Sequence, residues 1–185
     1  KKFPDDYFSA YYELSYQYYD VQNYPQLFPN FSDGYANDMA LKYSLQRNSI
    51  NSPIYPAEGS KLSFTAKATL PYSLIDNKPD SYATAQDQYR YLEYYKLKLT
   101  GEFYFPLTKD KKLVISPRFG FGLMGSYNSA KGLTPFERFT LGGSGLSGVN
   151  QFGGREIIAL RGYDDNALSS TGGDPLIAKY TMEVR

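Results

Sequence analysis

The sequence predicts an all-β chain, an antiparallel transmembrane β-barrel wall of about six strands. Three observations predict it. Apolar and polar residues alternate with a period of two through most of the chain, which gives strands two unlike faces. The alternating runs reach roughly 10 residues, beyond the ~5–6 usual in globular sheets and matched to the ~9–11 that cross a bilayer. Long connectors alternate with shorter ones, as in a barrel with loops at one rim and tight turns at the other.

The first strand is expected over 7–21. Phe8, Ala10, Tyr12, Leu14, Tyr16 and Tyr18 fall on one face, and Ser9, Tyr11, Glu13, Ser15 and Gln17 on the other. The second, 38–48, sets Met39, Leu41, Tyr43 and Leu45 against Ala40, Lys42, Ser44 and Gln46. The third, 60–70, has the cleanest pattern: Leu62, Phe64, Ala66, Ala68 and Leu70 oppose Lys61, Ser63, Thr65, Lys67 and Thr69. The fourth, 91–105, carries Tyr95, Leu97, Leu99, Phe103 and Phe105 against Lys96, Lys98, Thr100, Glu102 and Tyr104. In the fifth, 112–124, Leu113, Ile115, Phe119, Phe121 and Leu123 oppose Ser116, Arg118, Gly120 and Gly122. The sixth, 175–185, alternates Leu176, Ala178, Tyr180, Met182 and Val184 with Lys179, Thr181, Glu183 and Arg185. No helix is expected. Long loops fall at 21–38, 71–90 and 125–174, and shorter turns around Pro53-Ile54-Tyr55-Pro56 and over 106–111.

In this frame the apolar faces meet lipid and the polar faces a wet lumen. Arg47 has lipid parity, but at the turn end of its strand a long cationic side chain can reach the interface. Pro117 sits in mid-strand, where proline ordinarily marks an edge or a bulge.

Composition agrees. The chain has 20 Tyr and 12 Phe, with no Trp, His or Cys. Tyr and Phe at the ends of the apolar faces suit an interfacial aromatic girdle. Without His or Cys, Ser-His-Asp and Cys-His catalysis, thiolate nucleophiles and Cys-based zinc sites are excluded. Glu13, Glu102 and Glu183 read as lumen polar groups rather than a catalytic pair, so no enzyme activity, metal or cofactor is expected. Twenty basic residues against 19 acidic leave +1, which gives no field for recruiting nucleic acid. No apolar run reaches the ~18 residues of a spanning helix. Six strands fall short of the ~8 of the smallest such barrels, and an open edge in lipid leaves backbone groups unpaired. The chain is therefore expected to be a segment of a larger barrel.

One string in the long loop is informative. Pro135-Phe136-Glu137-Arg138-Phe139-Thr140-Leu141-Gly142-Gly143 is followed, after 144–159, by Leu160-Arg161-Gly162-Tyr163. Gly143, Gly145 and Gly148 also satisfy G-x-G-x-x-G, but no strand–turn–helix context surrounds them, and a turning loop is the simpler reading. Phe139 with Gly142-Gly143, then Leu160-Arg161-Gly162-Tyr163, resembles the BamA family of outer-membrane assembly proteins. That family has an aromatic-x-x-Gly-Gly segment leading to a (Val/Ile/Leu)-Arg-Gly-(Phe/Tyr) tetrapeptide in its sixth extracellular loop. The resemblance continues at Tyr55-Pro56-Ala57-Glu58-Gly59-Ser60, similar to a periplasmic turn of the family, at 94–107, and at 179–185. The separation over 144–159 is longer than in the best-known members.

The resemblance implies six strands of a roughly 16-stranded barrel with one long loop plugging the lumen. It implies a function in folding and inserting β-barrel proteins into the outer membrane of a Gram-negative bacterium, without a cofactor. The implied partners are outer-membrane lipids, unfolded outer-membrane proteins and accessory lipoprotein subunits. It also implies that Arg161 folds back into the lumen to meet carboxylates on the following strands. Glu183 stands at the matching place and has lumen parity, whereas spacing alone makes Arg161 one more solvated loop arginine. The alternatives are a TamA-like assembly factor or two-partner secretion transporter on the same fold, a passive channel, and a soluble Tyr-rich carbohydrate-binding sandwich.

Overall fold

The structure is a computed structural model that describes residues 6–74, 82–143 and 154–185. Its frame is one sheet of six strands in the order β1-β2-β3-β4-β5-β8, every neighbouring pair antiparallel. The strands are β1 (Phe8–Val21), β2 (Gly34–Asn48), β3 (Gly59–Thr69), β4 (Tyr95–Pro106), β5 (Val114–Gly125) and β8 (Leu176–Val184). The sheet is open, with β1 and β8 at its edges.

The alternation seen in the sequence separates two environments. On the outer face Leu14, Leu41, Phe64, Leu99, Phe121, Tyr180 and Met182 are exposed. The polar face is the covered one: the core lies on this side and at the loop rim, where Phe28, Phe31, Tyr94, Phe136 and Phe139 pack together. Apolar outside and polar inside is the inverse of a soluble half-buried sheet, whose apolar face is covered. It is the arrangement of a barrel wall in lipid.

Several local features depart from the sequence expectation. β4 begins at Tyr95 rather than 91, because Leu92, Glu93 and Tyr94 turn inward and are buried with the loops. The loop over 71–90 holds a 3-10 turn (Tyr72–Leu74) and a short helix α1 (Ala85–Tyr89), where no helix was expected; Thr84 caps α1 by accepting from Asp87 N. The loop over 125–174 is not structureless. It contributes β6 (Phe139–Leu141) and β7 (Glu156–Ile158), a parallel pair separate from the main sheet. Pro117 marks neither an edge nor a bulge. The β4–β5 ladder is interrupted beside it and resumes in unchanged register at Phe105↔Ile115, while Pro117 stays opposite Met182 on β8.

At the turn rim, Gly59 has φ +105, and a side chain there would run into the Ser49 carbonyl. Asn51 Oδ1 accepts from Ala57 N and Glu58 N, so the turn is held by its own hydrogen bonds. Pro56 is buried in it and Tyr55 points to solvent. Arg47 reaches toward the turn, to Ser49 just past the end of β2 and Ser60 on β3, 3.1 and 3.0 Å away.

Candidate functional site

The covered face of the sheet carries an unusual row. Strand register sets Glu13 opposite Lys42, Lys42 opposite Lys67, and Lys67 opposite Lys96. Like charges directly across a strand pair repel, so lysines standing in line on three adjacent strands need counter-charge. Glu13 supplies it for Lys42 at 3.2 Å. For the other two it comes from the long loop.

Glu137 Oε1 lies 2.8 Å from Lys67 Nζ, and its Oε2 lies 3.4 Å from Lys96 Nζ. Glu156, the first residue of β7, reaches Lys96 at 3.2 Å and also pairs with Lys98. Asp38 completes the cluster, 3.2 Å from Lys67 and accepting from the Tyr94 hydroxyl at 2.9 Å. The side chains of Glu137, Lys67 and Lys96 are only 7%, 13% and 8% exposed. At such depth an ion pair is weakly screened, and losing one partner strands a buried charge. Burial by itself would raise the Glu156 carboxyl, but Lys96 and Lys98 outweigh it and hold it below the usual glutamate range. Glu137 itself takes φ +62, a conformation that costs energy in a non-glycine residue and persists only where its surroundings impose it.

An apolar anchor flanks the ionic one. Phe139 is fully buried, and its ring lies where β5 has Gly122: a Cβ there would stand 2.5 Å from Phe139 Cζ and 2.8 Å from Ile177 Cγ2. Lys96 Nζ sits 4.7 Å from the centroid of the same ring, in cation–π range. Phe136, also fully buried, stacks on Tyr19 with centroids 4.5 Å apart and meets Phe28 at 4.8 Å. Lys179 on β8 donates to the Ala159 carbonyl, holding the end of the β7 segment to the wall. A loop held by two carboxylates, two rings and a lysine is fixed to this face. Its contacts fill and brace this side of the sheet.

The glycine pair and the tetrapeptide of the long loop meet in one place. Gly142 and Gly143, with φ +130 and +68, bring the loop back on itself: Gly143 N donates to Tyr163 O at 3.0 Å, and Leu160 N donates to Gly143 O at 3.1 Å. The glycine pair and the tetrapeptide are thus joined backbone to backbone. Gly162 has φ +89. The Tyr163 ring is half exposed, and its contribution to this junction is its carbonyl.

Arg161 and Glu183 line one cavity of about 740 Å³. Glu183 is engaged there by other guanidiniums, Arg118 at 3.2 Å and Arg185 at 3.1 Å. The turn residues Tyr55, Pro56 and Gly59 lie at the opposite rim from the docked loop. Of the G-x-G-x-x-G string only Gly143 is described; Gly145, Gly148 and most of the 144–159 insert lie outside the described residues.

Glu156 and the lysines that hold it are site residues that motif reading did not single out. Their signal was present in strand parity. The inward positions of β2 to β4 carry Lys42, Lys61, Lys67, Lys96 and Lys98 against only Asp38 and Glu102, and Glu13 on β1 offsets Lys42 alone, an imbalance that a covering segment with carboxylates corrects.

Comparison with known proteins agrees with this geometry. A family model for the Omp85 superfamily domain matches residues 2–185. Among solved structures, the chain superposes with a TM-score of 0.66 on BamA from Haemophilus ducreyi lacking POTRA domains 1-3, at 18% identity. The match covers 98% of this chain and 34% of that one, so the chain spans about a third of the structure it resembles. The chain belongs to the Omp85 superfamily, and its sheet is a stretch of β-barrel wall in a Gram-negative outer membrane.

Proposed function

We propose that this chain supplies barrel wall and docked loop to an outer-membrane insertase, a protein that folds and inserts other β-barrel proteins into the outer membrane. The observation that carries the reading is the loop seated on the inner wall through Glu137, Glu156 and Phe139. A passive channel needs an open lumen, and a loop pinned by buried ion pairs works against that. An insertase needs a wall that keeps its shape while strands pair and part elsewhere in the barrel, and a braced lumen serves that need.

Within this reading Arg161 acts beside the ionic cluster, contributing to the charged site around Glu183. Their common cavity supports this, and a guanidinium is suited to meet a carboxylate through two parallel hydrogen bonds. The partners are unfolded outer-membrane proteins as substrates, lipid against the exposed apolar face, and accessory lipoprotein subunits. No cofactor takes part.

The test is made in the whole protein. Cells depleted of the native copy and carrying Glu137→Lys should lose folded outer-membrane proteins while retaining the variant in the membrane. Undiminished assembly by a variant whose loop has become protease-sensitive would remove the reading. A large rise in single-channel conductance with assembly intact would favour the channel.

A further inference from the structure

β3 ends at Thr69, and beyond it the segment that leaves α1 takes its place beside β2 at the loop rim. Tyr91 bridges to Asn37, Leu92 N donates to Asn37 O at 3.0 Å, and Asn37 N donates to Arg90 O at 2.9 Å. The Asn37 side chain, on the outer face with Met39 and Leu41, donates to the same Arg90 carbonyl at 2.9 Å and accepts from the Tyr16 hydroxyl at 2.8 Å. Leu92 points into the core, so its neighbour Tyr91 points outward, 41% exposed, with its ring 5.0 Å from that of Tyr72. Arg90 lies over the Tyr91 ring, 5.6 Å from its centroid, and so belongs to the same outer face.

Arg90 is exposed, and among the described residues no carboxylate pairs with it. The nearby acids are engaged elsewhere: Asp87 accepts from the Thr84 hydroxyl at 2.7 Å, Glu93 holds Lys131 at 2.8 Å, and Asp38 holds Lys67 at 3.2 Å. A guanidinium stacked on a ring keeps its N–H donors free along its edge, in the fork that matches a phosphate. The backbone beneath it is fixed by Asn37, so the charge is presented without ordering the loop first.

We propose that Arg90, with Tyr16, Tyr72 and Tyr91, binds the phosphorylated sugar headgroup of a glycolipid in the outer leaflet. The long loops of such a barrel lie on the external side, where the leaflet of a Gram-negative outer membrane is built on acylated glucosamine phosphate. Arg90 takes the phosphate, and the tyrosines offer ring faces and hydroxyls to the sugar at interface depth. A diacyl phospholipid has a phosphate but no sugar ring to lie on them. An acidic protein would have to reach this lipid-facing surface through the bilayer. The inference rests on the outer-membrane location and not on the proposed assembly activity.

The test titrates the whole outer-membrane protein in detergent micelles with a phosphorylated, acylated glucosamine disaccharide, its dephosphorylated form, or phosphatidylglycerol, and measures bound lipid by native mass spectrometry. The phosphorylated glycolipid should bind most tightly, and Arg90→Gln, which keeps every backbone bond of residue 90, should weaken it by about tenfold. Dephosphorylation should weaken binding as much in the native protein and no further in Arg90→Gln. A glycolipid with a photoreactive group beside its phosphate should crosslink to Tyr72 or Tyr91 in the native protein, a readout that needs no variant to fold. Equal binding by the native and Arg90→Gln proteins overturns the proposal, as does a crosslink confined to other parts of the barrel. Equal affinity for phosphatidylglycerol, or competition by inorganic phosphate at the same concentration, also overturns it, because the sugar lipid would then not be what is recognised.

Discussion

The ring of Phe139 occupies the space that Gly122 leaves on β5, with 2.5 Å between Phe139 Cζ and the point where a Cβ would stand. One residue of the loop and one of the wall are thus fitted to each other. Gly122→Ala should displace the ring and cost about 1–3 kcal/mol. Phe139→Ala, which empties a fully buried site, should cost about 3–5 kcal/mol. Both are read from thermal unfolding of the barrel by its altered gel migration, with limited proteolysis reporting release of the loop. An unchanged proteolysis pattern in Phe139→Ala would show that the ring does not anchor the loop.

Glu137 bridges Lys67 and Lys96, so its loss leaves two poorly exposed cations facing each other across β3 and β4. Glu137→Gln is expected to destabilise the barrel by about 3–5 kcal/mol. Replacing both lysines by methionine in the same variant should recover much of that, because apolar substitutes for a buried ion cluster are often close to neutral. A double-mutant cycle measures it, and simple additivity of the replacements would deny the coupling.

Glu156 gives the docking a pH dependence. Its carboxyl is held low by Lys96 and Lys98 in the folded protein and returns to about 4.3 when the chain unfolds. The stabilisation is therefore full above that ordinary value and is lost as pH falls through the depressed folded value. Protease sensitivity of the loop should rise as pH falls below the ordinary glutamate range in the native protein and show a weaker acid response in Glu156→Gln. Identical acid profiles for the two proteins would separate Glu156 from the effect.

Gly162 offers a cleaner backbone test. Its φ is +89, yet a Cβ there meets nothing within 4 Å. Gly162→Ala should therefore cost about 1–2 kcal/mol through backbone strain alone, without a steric clash. A substitution neutral in thermal unfolding would mean that the tetrapeptide readily adopts another conformation.

Arg161 and Glu183 should differ in their effects. Glu183 already holds Arg118 and Arg185, with side chains about a third to two-fifths exposed. Each such pair contributes at most about 1 kcal/mol. Glu183→Gln should disturb thermal stability more than Arg161→Ala, whereas Arg161→Ala should act mainly on assembly of outer-membrane proteins. The reverse order in both measurements would contradict the role proposed for Arg161.

Much of the frame was legible because the bilayer imposes a two-residue period that survives in composition. Leu62, Phe64, Ala66 and Ala68 cannot be read as anything but one face. Strand ends were less legible. Leu92, Glu93 and Tyr94 continue the chemistry of β4, but tertiary packing draws them into the loop core. The start of β2 was likewise placed at 38, whereas Gly34 to Asn37 already pair with Tyr18 to Val21. β6 and β7 gave no periodic signal, since three residues are too few to show one. The docking polarity was hardest. Motif reading pointed from a loop arginine to a wall carboxylate, while the ion pairs that hold the loop run from loop carboxylates to wall lysines. Only register, which sets Lys42, Lys67 and Lys96 in line, exposes that need.

The central claim is that the loop is held on the inner wall by Glu137 and Glu156. Zero-length carbodiimide coupling of the whole protein in native outer membranes, followed by mass spectrometry, tests it most directly. The exposed Glu58–Lys111 pair at the turn rim, 2.7 Å apart, serves as the internal control. The account predicts isopeptide links joining Glu137 to Lys67 or Lys96, and Glu156 to Lys96 or Lys98. Recovery of the Glu58–Lys111 link with neither loop carboxylate coupled to β3 or β4 would contradict it.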